Sequence, residues 1–310
     1  MVYGDFKALC ENSPIPLCIL ISPLGANLDD IGFQGILPTC YARSVNVANT
    51  LIFQIGVSVI HLVTLIVMQI IVYLTRRRYT AIGRKEMIFF FWCFIGFTIG
   101  TLIVDTGVSP PGSPSSSYFV AFQVAMTGSC CWSLMYAGFT AFNYWEDGSL
   151  WSMLTLCIST LIIFSVNYII AIFTFKEDWS TVINPTHTTA LFTLFFVINA
   201  IFLSVYLISQ ILVCCCVLGF NLWALGALSL SVFFFASAEL LLYAFNHHIC
   251  TSLNHYVDGA IFSTLGNMFA IMMVYKYWDI ITFDDDEYYT YTQVVPGIGD
   301  RKRDIEKTLH

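Results

Sequence analysis

The sequence feature that most constrains this fold is a short basic stretch between two long apolar runs. Residues 75–85 read TRRRYTAIGRK, and their cations are Arg76, Arg77, Arg78, Arg84 and Lys85. Carrying these charges through the hydrocarbon core of a membrane is costly, and short loops rich in Lys and Arg stay on the cytoplasmic side. The stretch therefore predicts two membrane-spanning segments that meet at a cytoplasmic loop. Placing this loop in the cytoplasm also fixes the direction in which every later segment crosses the membrane.

The composition is typical of a chain that lies largely within a membrane. Hydrophobic residues make up 57% of the 310 residues, charged residues make up 11%, and the mean hydropathy is +0.76. Soluble domains carry about a quarter charged residues, and a membrane span needs about 20 mainly apolar residues. Seven such segments are present, namely Val47–Leu74, Met87–Asp105, Tyr118–Phe142, Leu150–Phe175, Thr189–Val217, Leu222–Phe245 and Tyr256–Trp278. They predict an all-α polytopic membrane protein, a bundle of seven transmembrane helices.

This topology divides the chain into three regions. Residues 1–46 predict an irregular N-terminal segment on the lumenal side, with the first helix starting near Ser44–Asn49. Residues 47–278 form the transmembrane domain. Residues 279–310 carry an acidic and a basic block and predict a disordered cytoplasmic tail. No basic region precedes the short apolar run at 17–20, so a cleaved signal peptide is not expected.

Four of the eleven cysteines fall on the predicted lumenal side, where disulfides can form. These are Cys10, Cys18, Cys40 and Cys250. Four cysteines allow three pairings. We expect at least one disulfide that ties down the N-terminal segment, either internally or through Cys250.

The deep ionisable groups of the apolar segments are His61, Asp105 and Glu239. Such groups usually face the interior of a helix bundle, so we expect interhelical hydrogen bonds rather than a transport or proton-relay role. His61 shares one predicted helical face with other polar residues of the first segment, namely Thr50, Gln54, Ser58 and Gln69. Gly96 and Gly100 form a GxxxG pair, which predicts the close approach of a second helix.

The sequence contains no recognisable catalytic constellation. It has no Gly-rich phosphate loop, no nucleophile elbow and no kinase signature. His247, His248, His255 and Asp258 cluster near the last lumenal loop and could bind zinc, but no HExxH motif accompanies them. We therefore predict no catalytic residue, no metal site and no cofactor, and nothing indicates a nucleic-acid partner.

The predicted tail offers one trafficking motif. Asp285-x-Glu287 resembles a di-acidic export signal read by vesicle coat proteins, which makes coat proteins a candidate partner. Short acidic matches of this kind often arise by chance. The C-terminal residues EKTLH match neither a KDEL-type signal nor a dilysine retrieval signal.

Ten short pieces of the sequence, in register from Gly4 to about Thr282, together resemble the fungal chitin synthase export chaperone family. They are GDF (4–6), PLC (16–18), PTCYARS (38–44), AIGRKE (81–86), DTGVSPPGS (105–113), WEDG (145–148), NAIF (199–202), LYAF (242–245), HYVDG (255–259) and MVYKYWD (273–279). One such piece would carry little weight, but ten in order are specific. The tail beyond Phe283 is the part that matches least.

The resemblance implies a protein of the endoplasmic reticulum membrane that escorts a multi-spanning chitin synthase into transport vesicles. It implies no glycosyltransferase activity, and the short cytoplasmic loops leave no room for a nucleotide-sugar domain. Whether the protein accompanies its client to the plasma membrane stays open. Client contacts are expected at lipid-facing apolar positions and in one loop, at Tyr144, Trp145, Glu146 and Asp147.

Two other classes of seven-helix protein were weighed against this one. A receptor would carry an acidic-Arg-aromatic triplet after the third helix and an Asn-Pro-x-x-Tyr motif in the seventh, where this chain reads FNYWEDG and MVYKYWD. A small-solute transporter would place ionisable residues along several facing helices, and such residues are scarce here.

Overall fold

The computed structural model describes residues 3–23, 35–47, 50–79, 81–110, 113–140, 148–176, 184–217 and 221–294, and this part of the chain is almost entirely helical. Side chains are described for these residues except 46–47, 50–51, 217 and 283–294. The short elements are helix α1 (Lys7–Asn12), a 3-10 helix (Pro16–Leu20) and strands β1 (Val45–Val47) and β2 (Thr50–Ile52). The N-terminal segment, predicted to be irregular, thus contains two short helices.

The longer helices follow in the order that the apolar segments predict. They are α2 (Ile55–Arg77), α3 (Arg84–Asp105), α4 (Ser116–Thr140), α5 (Leu150–Phe175), α6 (Thr189–Cys216) and α7 (Leu222–Tyr243), then the short α8 (Asn246–Ser252) and finally α9 (Gly259–Val294). Helix α6 is continuous and includes a π-helical segment at Thr193–Ile198, and its C-terminal end merges into a second one at Val213–Val217.

Within the described residues, six helices, α2 to α7, are long and apolar enough to cross a membrane, as judged by length and composition. Helix α9, which holds most of the seventh predicted segment, is not among these six. Its polar residues Asn267, Lys276 and Asp279 lower its mean hydropathy. The helix also continues to Val294, so the boundary predicted between bundle and tail after residue 278 does not coincide with a helix end.

The predicted start of the first helix near residues 44–49 is wrong. Strands β1 and β2 pair there as an antiparallel hairpin in which Val45 lies opposite Ile52. The alternation of Val45, Asn46 and Val47, followed by Thr50 and Ile52, suits a strand better than a helix, because β-branched residues favour extended backbone. Gln54 still has non-helical dihedral angles, and the helix starts at Ile55.

Helix α4 is the centre of the bundle and packs against α3, α5 and α6, while α9 packs against α7 and α2. The GxxxG prediction on α3 is confirmed. A Cβ atom on Gly96 would lie 2.7 Å from the Cε of Met126, and one on Gly100 would lie 2.9 Å from the Phe122 ring. Both glycines therefore let α3 approach α4 closely.

The bundle has two ends with separate apolar clusters. The end that holds residues 75–85, called the basic end from here on, is packed around Phe90, Phe91 and Tyr277. The opposite end holds Cys10, Cys18, Cys40 and Cys250 and is called the cysteine end. Its cluster joins the N-terminal segment to the bundle, with Phe6 among the buried side chains.

Candidate functional site

The five basic residues of the predicted cytoplasmic loop lie together at the basic end. Arg76 and Arg77 occupy the last turn of α2, where cations are favoured by the helix dipole. Arg84 and Lys85 start α3, after Gly83 turns the chain with a left-handed φ of 70°. A Cβ on Gly83 would also lie 2.7 Å from Thr140 Oγ1. Glycine is therefore needed at this turn for both its conformation and its small size.

Arg78 fastens the loop to α9. Its Nη2 donates to Asp279 Oδ1 at 2.9 Å, and Lys276 Nζ donates to Asp279 Oδ2 at 3.0 Å. The indole Nε1 of Trp278 donates to the Ile82 carbonyl at 3.2 Å. These contacts fix the start of α3 and the middle of α9 relative to each other.

A second set of contacts joins α3 to the start of α5. Lys85 Nζ donates to the Gly148 carbonyl at 2.6 Å. Glu86 Oε1 accepts from Ser152 Oγ at 2.8 Å and from the Gly148 N–H at 3.3 Å. The Glu86 side chain is fully buried, and its Oε2 has no hydrogen-bond partner within the part of the chain that the structure describes. Such a buried carboxylate must keep its donors, because a lost hydrogen bond there is not replaced by water.

A buried hydrogen-bond chain lies one layer deeper at the same end. Gln210 Nε2 donates to the Gly138 carbonyl at 3.0 Å, and Gln210 Oε1 accepts from Tyr277 OH at 3.0 Å. The Cys214 thiol lies 3.6 Å from the same hydroxyl. The chain thereby connects α4, α6 and α9. Glu86 and Gln210 were not predicted as contact residues. A usable signal was present, since Glu86 directly precedes the apolar segment Met87–Asp105 and Gln210 lies within the segment Thr189–Val217.

The cysteine end is held by covalent bonds. Cys10 is bonded to Cys18, eight residues away, and Cys40 is bonded to Cys250, 210 residues away. The four candidate cysteines are thus paired once within the N-terminal segment and once to α8. Beside the Cys40–Cys250 bond, the Asn246 side chain makes three hydrogen bonds and is called the Asn246 hub from here on.

The Asn246 side chain connects three parts of the chain. Its Nδ2 donates to the Asn12 carbonyl at 2.8 Å and to the Cys40 carbonyl at 3.3 Å. Its Oδ1 accepts from the Gly259 N–H at 2.7 Å. The N-terminal segment is therefore clamped to the loop that precedes α9.

Asp258 lies in this loop and is buried. Its Oδ2 accepts from the Ala42 N–H at 3.4 Å. Burial raises the pKa of Asp258, hydrogen bonds from the backbone of Ala42 and Ile261 partly offset that rise, and the nearby Asp105 carboxylate adds to it. Burial dominates because it penalises the charged form.

The sulfur atoms of Cys40 and Cys250 and the ring of His255 lie close enough together to surround a metal ion. The disulfide occupies both sulfur atoms, however, and metal binding requires thiolates. His255 Nδ1 instead lies 3.3 Å from Cys40 Sγ and 3.2 Å from the Tyr41 carbonyl.

The ionisable groups within the helices make interhelical contacts. His61 Nε2 lies 3.1 Å from Asp105 Oδ2, which joins α2 to α3. Glu239 lies within hydrogen-bonding range of Asn267 on α9 and of Tyr243 on its own helix. The polar face predicted on the first segment is correct for Ser58 and His61, which are buried.

That predicted face is wrong at its two ends. Gln69 is exposed, because its position has rotated away from the neighbouring helices at this level of α2. Thr50 lies in β2 and not on the helix.

Nearly the full length of the chain matches one protein family. The family model described as chitin synthase export chaperone matches residues 2–290. A chitin synthase export chaperone of Candida albicans is 46% identical over 289 residues, which cover 93% of this chain and 92% of the relative. Proteins of the same name from Saccharomyces cerevisiae and Debaryomyces hansenii are each 43% identical to this chain. Each alignment covers 93% of this chain, together with 95% of the Saccharomyces cerevisiae protein and 92% of the Debaryomyces hansenii protein. The chain belongs to the chitin synthase export chaperone family. No solved structure matches it.

The residues matched by the chitin synthase export chaperone family, 2–290, span both ends of the bundle and the four cysteines of the two disulfides. They also include the two motifs for which the structure gives no side-chain contacts. Tyr144, Trp145, Glu146 and Asp147 lie outside the described residues. Asp285 and Glu287 fall on the backbone of α9, in the part whose side chains are not described.

Proposed function

We propose that this chain binds a chitin synthase in the endoplasmic reticulum membrane and promotes its folding and export, and so supports the synthesis of cell-wall chitin. The observation that carries the proposal is the family match over residues 2–290, with 46% identity to a named chitin synthase export chaperone. The family is one of chaperones, which implies binding of a client rather than catalysis. Export of the client would involve vesicle coat proteins, with Asp285-x-Glu287 as the candidate signal.

The proposal includes a topology of seven spans, with α9 as the seventh. Its support is that α9 packs along both α7 and α2, two of the apolar helices, and so shares their path. The basic end would face the cytoplasm and the cysteine end the lumen. Trp151 and Trp223, which are 75% and 83% exposed at the starts of α5 and α7, suit a membrane–water interface at the basic end.

The client surface is proposed on helices α5, α6 and α7. The bundle itself buries only 28%, 17% and 17% of these spans, against 50% of α4. A shallow cleft on α6 is lined by small and apolar side chains, among them Ala200, Ile201 and Ser204. Small residues four positions apart allow a second membrane helix to approach closely. The occupant would be a transmembrane helix of the synthase.

The first experiment tests the escort function itself. We expect a strain that lacks this protein to synthesise the chitin synthase polypeptide, retain it in the endoplasmic reticulum and lose chitin at the cell surface. Normal delivery of the synthase to the surface in that strain would refute the escort function. Transfer of sugar from a nucleotide donor by the purified protein would refute the statement that it is not an enzyme.

A second experiment tests the client surface. Ala200→Phe with Ser204→Phe fills the cleft on α6, and we expect it to abolish co-purification of the synthase in mild detergent at unchanged protein abundance. Val63→Phe on α2 is the matched control, because Val63 is also exposed on a long apolar helix but lies outside the proposed surface. Equal loss of the synthase with both variants would contradict this surface without touching the escort function.

A third experiment tests the orientation. A tag inserted after Lys85 should be digested by protease added to sealed microsomes, and a tag near Ser115 should be protected. The reverse pattern would overturn the proposed topology.

A further inference from the structure

Three arginines at the basic end have no carboxylate partner among the described residues. Arg76, Arg77 and Arg84, called the arginine triad from here on, instead lie near aromatic rings, Trp92, Tyr73 and Tyr79 respectively. The guanidinium carbon lies 6.0, 5.7 and 5.6 Å from the ring centroid in these three pairs. Arg84 Nη1 also donates to the Arg76 carbonyl at 3.4 Å, which brings the two ends of the loop together.

The acidic groups described at this end are already engaged. Asp279 binds Arg78 and Lys276. Glu86 is buried and accepts from Ser152 and the Gly148 N–H. The triad therefore adds three positive charges to this end without a described acid beside them.

The position of Arg84 adds to this imbalance. Arg84 is the first residue of the 22-residue helix α3, where the helix dipole disfavours a cation and favours an anion. The N-cap residue is Gly83, which has no side chain to accept from the first N–H groups of α3. The acid in this first turn, Glu86, is buried and turned toward Ser152 and Gly148, so the N–H groups at the start of α3 are suited to a phosphate. Guanidinium groups pair well with phosphate oxygens.

The surrounding rings place the triad at the boundary of the membrane. Tyr73, Tyr79 and Trp92 are 60%, 82% and 45% exposed. Tyr and Trp prefer the level of the lipid headgroups, and arginine side chains near helix ends extend toward that level. The anion most available at this level is the phosphate of a phospholipid.

We propose that the arginine triad binds the headgroup of an anionic phospholipid. The guanidinium groups would hold phosphate oxygens through paired N–H···O hydrogen bonds. The exposed rings would pack against the glycerol and upper acyl region. The site belongs to the protein itself, and it does not depend on the proposed client or on which side of the membrane the basic end faces.

The test measures lipid binding to the purified full-length protein in neutral detergent by native mass spectrometry. The added lipids are phosphatidylserine, phosphatidylinositol and, as the zwitterionic reference, phosphatidylcholine. We expect retention of the two anionic lipids over phosphatidylcholine in the unchanged protein. Each Arg near a membrane surface contributes about a fivefold factor in affinity, so R76Q/R77Q/R84Q should weaken anionic binding by about a hundredfold.

The matched control is Arg43→Gln, since Arg43 lies over the Tyr256 ring at 5.2 Å but at the cysteine end. Arg43→Gln should leave anionic binding unchanged. If the triple variant does not fold, Arg77→Gln alone should still weaken binding about fivefold, because Arg77 is exposed. Equal retention of all three lipids, unchanged binding in the Arg variants, or an equal loss with Arg43→Gln would overturn the proposal. Displacement by millimolar inorganic phosphate would assign the site to a free anion instead of a lipid.

Discussion

The two ends of this bundle are held together by different chemistry. At the cysteine end, two disulfides and the Asn246 hub fasten the N-terminal segment to α8 and to the start of α9. At the basic end, the loops are joined by the Arg78–Asp279 pair and by the Lys85 and Glu86 contacts to residues 148–152. One end is held by covalent bonds, and the other by hydrogen bonds and an ion pair.

The difference matches the environments proposed for the two ends. Disulfides persist in an oxidising lumen and not in the cytosol, whereas exposed ion pairs are weak and screened by salt. The stability of the protein should therefore depend on redox state at the cysteine end and on charge at the basic end. The following predictions test that separation, beginning with the largest effect.

The largest effect is expected from the bond between Cys40 and Cys250. It closes a loop of 210 residues, for which the chain-entropy relation gives about 5 kcal/mol, against about 2.5 kcal/mol for the eight-residue loop of Cys10 and Cys18. Cys40→Ser with Cys250→Ser should therefore lower the melting temperature in detergent more than Cys10→Ser with Cys18→Ser. Four free thiols in non-reducing mass spectrometry, or equal losses in the two variants, would contradict this prediction.

The next effect is expected from Glu86 at the basic end. Glu86→Ala leaves the buried Ser152 hydroxyl and the Gly148 N–H without their acceptor, which should cost about 1–3 kcal/mol of unfolding free energy. Glu86→Gln keeps an acceptor oxygen and serves as the control with a smaller loss. The comparison is measured by thermal unfolding in detergent. Equal losses for Gln and Ala would show that the charge, which both variants remove, and not the hydrogen bonds, is what matters.

A smaller effect is expected from the ion pair of Arg78 and Asp279. A double-mutant cycle with Arg78→Gln and Asp279→Asn should give a coupling energy of about 1 kcal/mol, because the pair is only partly buried. The coupling should shrink at high salt, whereas the stability difference made by the disulfide should not. A coupling that is insensitive to salt would remove the distinction between the two ends.

The smallest effect concerns pH at the cysteine end. Because the pKa of Asp258 is raised in the folded protein, folding favours its protonated form, so this group's stabilisation is present at low pH. That contribution is lost as the pH rises from the ordinary value of 3.8 through the raised value. Asp258→Asn should flatten this part of the stability profile between acidic and neutral pH. An unchanged slope in melting temperature against pH would contradict the assignment.

The long helices could be predicted from the sequence because a membrane span imposes a long apolar run with a polar break. The same rule failed at Val47 and at Thr50–Ile52, which lie in the paired strands β1 and β2, and the helix starts only at Ile55. Run length alone cannot distinguish the two, since β-branched residues satisfy both patterns. Gln69 shows a second limit. A spacing of eight residues turns it about 80° away from His61, whereas the buried face of α2 continues through Met68 and Val72.

The contacts of the candidate sites were less predictable. The predicted topology selected the four cysteines that form disulfides, but their pairing depends on where α8 meets the N-terminal segment, a tertiary arrangement. Glu86 looks like one more charge of a solvated loop, yet the turn at Gly83 directs it into the protein. Whether a loop side chain such as Glu86 is buried depends on the residues that pack over it, and these residues, 148–152, are distant in sequence.

The bond between Cys40 and Cys250 also orders events in time. Cys250 is made 210 residues after Cys40, and the six apolar helices α2 to α7 lie between them. The bond can therefore close only after all six have been synthesised and brought back to one place. Until then Cys40 lacks the partner to which it is bonded in the finished structure. A molecule in which the Cys40–Cys250 bond has formed is therefore one in which helices α2 to α7 have been made and assembled.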